Sequence, residues 1–314
     1  MRILFWGTPD FAVPALQALL GEGHEITGVV TQPDRAAGRG RSLRPSPVKI
    51  AAQQEQLTIF QPARARGGEF VASLREVRPD VSVVVAYGQI LTREVLDVPP
   101  LGSINVHASL LPELRGAAPI NWAIRLGHET TGVTIMRMVE RMDAGPIIHQ
   151  VTEPIGEEET ATDLWTRLSE LSAEALVEAL ALLEAGAAEE RPQDESRATY
   201  APRLTRETTR VDWSETAAAV GRQIRAFDAV PGAWTEHGNE ELKVFRPQPV
   251  PEHAHDEQPG RVLEVDATDA AEGMLVACGT GAVWIREVKP AGKRRMTTAA
   301  WVHGRGITAG EQLH

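Results

Sequence analysis

A chain of 314 residues, 42% of them apolar and 24% charged, is long enough for two domains and has the balance of a globular protein. Its net charge of −11 excludes a surface that grips nucleic acid all over, and its single cysteine, Cys278, excludes an internal disulfide. No run of about 18 apolar residues is present to cross a bilayer as a helix, the first residues are too short for the apolar stretch of a signal peptide, and no Cys/His cluster has zinc spacing. A cytoplasmic protein without a metal is expected.

Residues 2–6 are an apolar run ending at Gly7 and predict a buried strand. Residues 11–20 place Phe11, Ala15, Leu16 and Leu19 on one helical face, with Pro9 and Pro14 at or near the first turn, where proline is tolerated. A strand follows at 25–31, a helix at 48–56, a strand at 57–61 and a helix at 71–77. VSVVVA, residues 81–86, is a continuous apolar, β-branched run of the kind found in a central parallel strand covered on both faces. Residues 103–107 form another strand. Strands alternating with helices predict a doubly wound, Rossmann-like parallel sheet. Ligands on such sheets bind outside the carboxyl ends of the strands, so Gly7, Tyr87, Gly88 and His107 are expected to converge. A dinucleotide site is not expected. Pro9 and Ala12 stand where the second and third glycines of a Gly-x-Gly-x-x-Gly fingerprint would be.

Residues 132–138 and 146–151 predict two more strands. Residues 161–185 predict a long amphipathic helix whose apolar side carries Leu164, Leu168, Leu171, Leu176 and Leu183, ended by Gly186. From 187 to about 205 the composition turns polar and irregular, which predicts a linker over 189–205 between a domain at 1–188 and one at 206–314. Beyond it come a helix at 215–227 and short strands at 233–236, 242–246, 260–265, 274–278 and 282–288, with a loop at 247–259. Short, closely spaced strands suggest a small β-barrel. Two stretches oppose the overall acidity. Arg35, Arg39, Arg41, Arg44 and Lys49 face only Asp34, and Arg286, Lys289, Lys293, Arg294, Arg295 and Arg305 face only Glu287. A polyanion can be held at such patches while the remaining surface repels it.

SINVH at 103–107 ends a strand with Asn105 and His107 on one face, because side chains alternate. On their own these are two polar residues at a strand end. The chain continues ASLLPELRGAAPI, residues 108–120, and MDAG follows at 142–145. INVH, SLLP, RGAAPI and the acid in MDAG together resemble the folate-dependent formyltransferases. GTPDFAVPAL (7–16), TQPDRAAGRGRSLRPSPVK (31–49), VVVAYGQIL (83–91), GVTIMRM (132–138), IRAFDAVPGAW (224–234) and KPAGKRRM (289–296) extend the resemblance over both halves of the chain. The loop after TQPDR and the C-terminal matches resemble the members that act on a charged tRNA.

The resemblance implies transfer of a formyl group from 10-formyltetrahydrofolate to the amino group of methionine on initiator methionyl-tRNA. The alternative acceptors within the family are a nucleotide sugar and glycinamide ribonucleotide. It implies Asn105, His107 and Asp143 at the reacting centre. Formyl transfer to an amine passes through a tetrahedral adduct, and donors aimed at the developing oxyanion lower the barrier by about 3–4 kcal/mol each. Asn105 offers an amide N–H, and His107 a ring N–H or a full positive charge. His107 and Asp143 can both take part in moving the amine's proton, and which of them carries it stays open. The folate site implied is Tyr87, Gly88, Ile90 and Leu91 with Ser109, Leu110, Leu111 and Pro112. The tRNA contacts implied are Arg39 and Arg41 in a flexible cationic loop, and Lys289, Lys293, Arg294 and Arg295 on an OB-like C-terminal barrel. Arg115 is expected to be structural, and Trp213, Trp234, Trp284 and Trp301 to serve mostly as core. Two stretches depart from the family pattern: Ala108 stands where glycine is common, and Glu113-Leu114 where a basic or aromatic pair is expected. A monomer is expected, since this recognition needs one chain.

Overall fold

The strand β1 (Arg2–Gly7) leads through a 3-10 turn into α1 (Val13–Gly21), β2 (Glu25–Val30) and a short hairpin of β3 (Arg35–Ala37) and β4 (Ser42–Arg44). Next come α2 (Pro47–Gln54), β5 (Ile59–Phe60), α3 (Gly68–Glu76), β6 (Val81–Val85), α4 (Arg93–Leu96) and β7 (Ser103–His107). β8 (Arg115–Gly116), α5 (Pro119–Leu126), β9 (Thr130–Arg137), β10 (Ile147–Pro154), α6 (Ala161–Glu184) and β11 (Tyr200–Ala201) follow. This computed structural model describes residues 1–37, 42–266 and 273–314. Two compact units divide them: Met1–Pro119, Thr130–Pro154 and Trp165–Pro202 form the first, and Ile120–Glu129, Ile155–Leu164 and Arg203–His314 the second.

In unit 1 the sheet order is β10-β9-β7-β6-β1-β2-β5. The strands from β7 to β5 are parallel, and β9 and β10 add antiparallel pairs at the other end. The chain starts at β1 and steps outward to either side, so the order reverses between β1 and β6. That reversal opens a crevice at the strands' carboxyl ends. Alternation along the strands fills both faces. Leu4, Trp6 and Val84 pack with Val71 and Leu74 of α3 and Val95 and Leu96 of α4. Ile3, Phe5 and Val83, fully buried, point to the other face. There Phe11 meets Trp165 of α6 edge to face at 5.0 Å, and the Ser169 hydroxyl donates to the Phe11 carbonyl. α2 starts where Ser46 accepts from the Lys49 amide at 3.0 Å, with Pro47 in the first turn. The five residues of β6 are all buried, as its β-branched run predicts.

Unit 2 contains α7 (Ala217–Phe227), β12 (Ala233–His237), β13 (Glu240–Val250), β14 (Val262–Asp266), β15 (Gly273–Ala277), β16 (Ala282–Pro290), β17 (Met296–Thr297) and α8 (Thr298–His303). Its sheet runs β12-β13-β16-β15-β14. Residues 311–314 bridge the two outer strands. The Leu313 amide donates to Gly260 and the Val262 amide to Glu311 on the β14 side, while Glu236 of β12 and His314 exchange two backbone hydrogen bonds. The sheet is thereby closed into a barrel, which removes its edges. Residues 247–250, expected in a loop, extend β13. Pro247 and Pro249 are tolerated because β12 pairs only with residues 240–244, so beyond that point no partner on that side needs their missing N–H. α4 and α5 were not expected. The first is a single turn, and α5 is short and follows the RGAA turn directly.

Candidate active site

β7 carries Asn105 and His107 to the mouth of the sheet on the face shared with Val84. Asn105 is half-buried, and its side-chain amide has no hydrogen-bond partner among the described residues. His107 is buried, and its ring is engaged. Nε2 lies 2.9 Å from the Leu114 carbonyl oxygen. A carbonyl only accepts, so Nε2 carries the proton. Nδ1 is then the nitrogen left to gain one, and it faces Asp143 Oδ2 at 3.8 Å. The same Oδ2 accepts from the Gly116 amide at 2.8 Å. The two side chains expected to donate to a carbonyl oxygen therefore differ. Asn105 is free to do so, while the Nε2–H of His107 is committed to Leu114.

The geometry depends on unusual backbone. Leu114 has φ 58 and Asp143 φ 50, both in the left-handed region that side chains disfavour. Gly116 has φ 124, and a Cβ there would lie 2.6 Å from the Ala201 carbonyl oxygen. Residues 193–201 hold these positions. β11 pairs in parallel with β8, Thr199 accepts the Leu114 amide through its Oγ1 at 2.9 Å, and the Arg115 amide donates to the Thr199 carbonyl at 2.9 Å. Arg115, only 1% exposed, donates from Nε and Nη2 to Gln193 Oε1 at 3.0 and 2.6 Å and from Nη1 and Nη2 to Glu195 at 3.1 and 3.0 Å. Glu195 also pairs with Arg141. Hydrogen bonds first from Arg115 and then from Arg141 hold the Glu195 carboxyl down at about 2. Residues 189–202 of the linker expected over 189–205 are in this way a strap on unit 1. Arg115 is structural, and Glu113, one of the departures from the family pattern, pairs with Arg197 of the strap at 3.2 Å.

The residues expected around folate divide by exposure. Gly88, with φ 88, has no atom within 4 Å of where a Cβ would sit, and Ile90 is 76% exposed. Leu110 is half-exposed. Ile90 and Leu110 thus present apolar surface to solvent. The side chains of Tyr87 and Leu91 belong to the core, which leaves their backbone groups as what they can offer to a pocket. The Tyr87 ring meets Trp6 edge to face at 5.1 Å, and its carbonyl accepts from Thr8 Oγ1 and Gln32 Nε2. Ser109, Leu111 and Pro112 are buried as well: Ser109 Oγ donates to the Glu113 carbonyl, and Leu111 packs with Met136 and Ile147.

Arg39 and Arg41 lie outside the described residues. Lys289, Lys293 and Arg294 are exposed on unit 2. Arg295, expected with them, is engaged within unit 2. Its guanidinium donates to Asp228 at 2.8 and 3.2 Å and to Glu287 at 2.5 Å, over the Phe245 ring at 4.0 Å. Asp228 is buried and needs that partner. Trp213, Trp234 and Trp301 are core residues. Composition gave no sign of Gln193 or Thr199, because one amide and one hydroxyl in a polar stretch carry no periodicity.

This chain belongs to the formyl transferase family: residues 1–180 match the pattern described as formyl transferase, and residues 203–306 the one described as formyl transferase, C-terminal domain. Within that family it is similar to methionyl-tRNA formyltransferases. The protein of that name from Symbiobacterium thermophilum is 47% identical over 313 residues, covering 100% of this chain and 95% of its own. The one from Thiobacillus denitrificans is 45% identical, covering 100% of this chain and 99% of its own. Among solved structures, HypX from Aquifex aeolicus in complex with tetrahydrofolic acid matches 96% of this chain with a TM-score of 0.66 at 22% identity. This chain spans about half of HypX, 47% of its length. An N-formyltransferase from Helicobacter canadensis, in complex with folinic acid and dTDP-3-aminofucose, matches 91% of this chain and 98% of its own with a TM-score of 0.69 at 17% identity. At these identities the likeness is one of fold. Among the described residues no helix is long and apolar enough to cross a membrane.

Proposed function

We propose that this chain transfers the formyl group of 10-formyltetrahydrofolate to the amino group of methionine on initiator methionyl-tRNA, for initiation of translation. The observation that carries the reading is full-length identity of 47% with a methionyl-tRNA formyltransferase. Residues 1–188 are the catalytic, folate-binding domain, and 206–314 the tRNA-binding domain. The folate supplies the formyl carbon and a nitrogen leaving group, and Gly88, Ile90 and Leu110 offer surface for a flat ring. The neutral amine attacks the formyl carbon, and the carbonyl oxygen gains negative charge. The Asn105 amide donates to that oxygen. His107 Nδ1 takes the proton that the attacking nitrogen loses, because Nε2 already carries one and donates to Leu114. Asp143 stabilises the imidazolium that results, 3.8 Å away. That proton then goes to the departing folate nitrogen as the carbon–nitrogen bond breaks, leaving a formamide on the amino acid.

The basic residues Lys289, Lys293 and Arg294, with Arg39 and Arg41, meet the tRNA backbone. The test is to incubate the protein with 10-formyltetrahydrofolate and either methionyl-tRNA, an amino nucleotide sugar or glycinamide ribonucleotide. Formylation of methionyl-tRNA is expected. Formylation of either small acceptor instead would replace the reading. Wild-type turnover in His107→Asn or Asp143→Asn would remove that residue from the chemistry.

A further inference from the structure

The turn that carries Asp143 is poorly held by its own backbone. Within residues 139–145 the backbone hydrogen bond is Ala144 N to the Arg141 carbonyl, long at 3.4 Å. Asp143 itself is left-handed. Gly145 is pressed so close to β9 that a Cβ would fall 1.8 Å from the Arg137 carbonyl oxygen. Two carbonyls of the turn, those of Asp143 and Gly145, are captured by one group, the Gln193 side-chain amide, at 2.8 Å each. The other end of that amide, Oε1, accepts twice from buried Arg115. A carboxamide has two N–H donors and two lone pairs, and all four are used.

We propose that Gln193 is a positioning residue for formyl transfer: its amide clamps the Asp143 turn so that the carboxylate stands opposite His107 Nδ1. This rests on Asp143 belonging to the reacting centre, as proposed above. Gln193 touches neither substrate. Arg115 fixes Gln193, Gln193 fixes the peptide units that follow Asp143 and Gly145, and the Gly116 amide fixes the carboxylate directly. Residues that orient a reacting group in this way commonly cost about 10- to 100-fold in activity when changed, and a displacement of about 1 Å at a reacting group can cost about 100-fold.

Gln193→Glu separates clamping from packing. A glutamate keeps the length and still accepts from Arg115, but it loses both donors and turns a carboxylate oxygen toward two carbonyl oxygens. Gln193→Met keeps the length and loses all four hydrogen bonds. Both variants are expected to fold, with kcat lowered about 10- to 100-fold and KM for both substrates within about twofold of wild type, since neither binding surface is altered. Combining Gln193→Glu with Asp143→Asn is expected to give no further loss over Asp143→Asn alone, because residues acting through one another are not additive. A Gln193→Glu or Gln193→Met enzyme at wild-type kcat, or a multiplicative loss in the double variant, would overturn the inference. If Asp143→Asn itself kept wild-type kcat, the reading of the reacting centre would fail and take this inference with it. If Asp143→Asn were slow and both Gln193 variants fast, the clamp alone would be refuted.

Discussion

His107 and Leu114 are joined by a hydrogen bond of 2.9 Å from ring Nε2 to a backbone carbonyl, and that bond divides the labour at the site. It removes Nε2–H from any substrate oxygen and leaves Asn105 as the free donor. Asn105→Ala is therefore expected to lower kcat by about 100- to 1,000-fold, equivalent to about 3–4 kcal/mol of oxyanion stabilisation, with little change in KM. Asn105→Asp should be slower still, because a carboxylate repels the charge that develops. Steady-state kinetics on both substrates checks this, and a kcat within about threefold of wild type in Asn105→Ala would contradict the assignment.

Glu195 sets an acid limit on the strap. Its carboxyl titrates at about 2 in the fold against an ordinary value of 4.5, so its ion pairs contribute fully above 4.5 and are lost as pH falls toward 2. Because the group is exposed, the gain is small and falls with salt. Thermal unfolding of wild type and Glu195→Gln is expected to differ above pH 4.5 and to converge near pH 2. A difference that stayed constant across that window would contradict the role of the carboxylate.

Tyr87 marks an alkaline limit. Its hydroxyl is buried without a partner among the described residues, and burial pushes its ionisation from 10 up to about 12. The folded state favours the neutral phenol, so stability is unaffected below pH 10 and declines as pH rises through about 12. Tyr87→Phe removes an unsatisfied polar group and is expected to leave the melting temperature unchanged or raised. It should also abolish the late step in a tyrosinate absorbance titration, which must otherwise appear near pH 12.

The basic surface of unit 2 separates into two roles. Replacing Lys289, Lys293 and Arg294 together by alanine is expected to make the log–log salt dependence of tRNA affinity shallower by about three units, roughly one for each phosphate contact, with no loss of stability. Arg295→Ala should instead destabilise the fold by about 3 kcal/mol, since it strands buried Asp228. Binding at graded salt and thermal unfolding distinguish these outcomes.

Much of the fold is legible in the sequence because it is written in periodicity. The run at 81–86 announces the central strand, and the leucines from Leu164 to Leu183 announce the long helix. Asn105 and His107 share a face by alternation alone. What composition does not report is contact between distant segments. Arg115 and Gln193 are 78 residues apart, and the pairing of β8 with β11 involves two residues from each strand. A polar stretch that looks unstructured by itself becomes ordered by what it caps. The same limit applies to Arg295, which as a sequence is one more positive charge in a basic run and in the fold is the partner of Asp228.

The barrel of unit 2 is closed by chain that has no strand neighbours of its own in sequence. Residues 311–314 lie between β12 and β14 and hydrogen-bond to both. Residues 311–314 thus work as a zip fastener. Deleting residues 311–314 would expose two raw β-edges at once, and such edges recruit further copies. A protein lacking residues 311–314 should lose solubility, with aggregation seen by light scattering, while the arrangement of Asn105, His107 and Asp143 remains untouched.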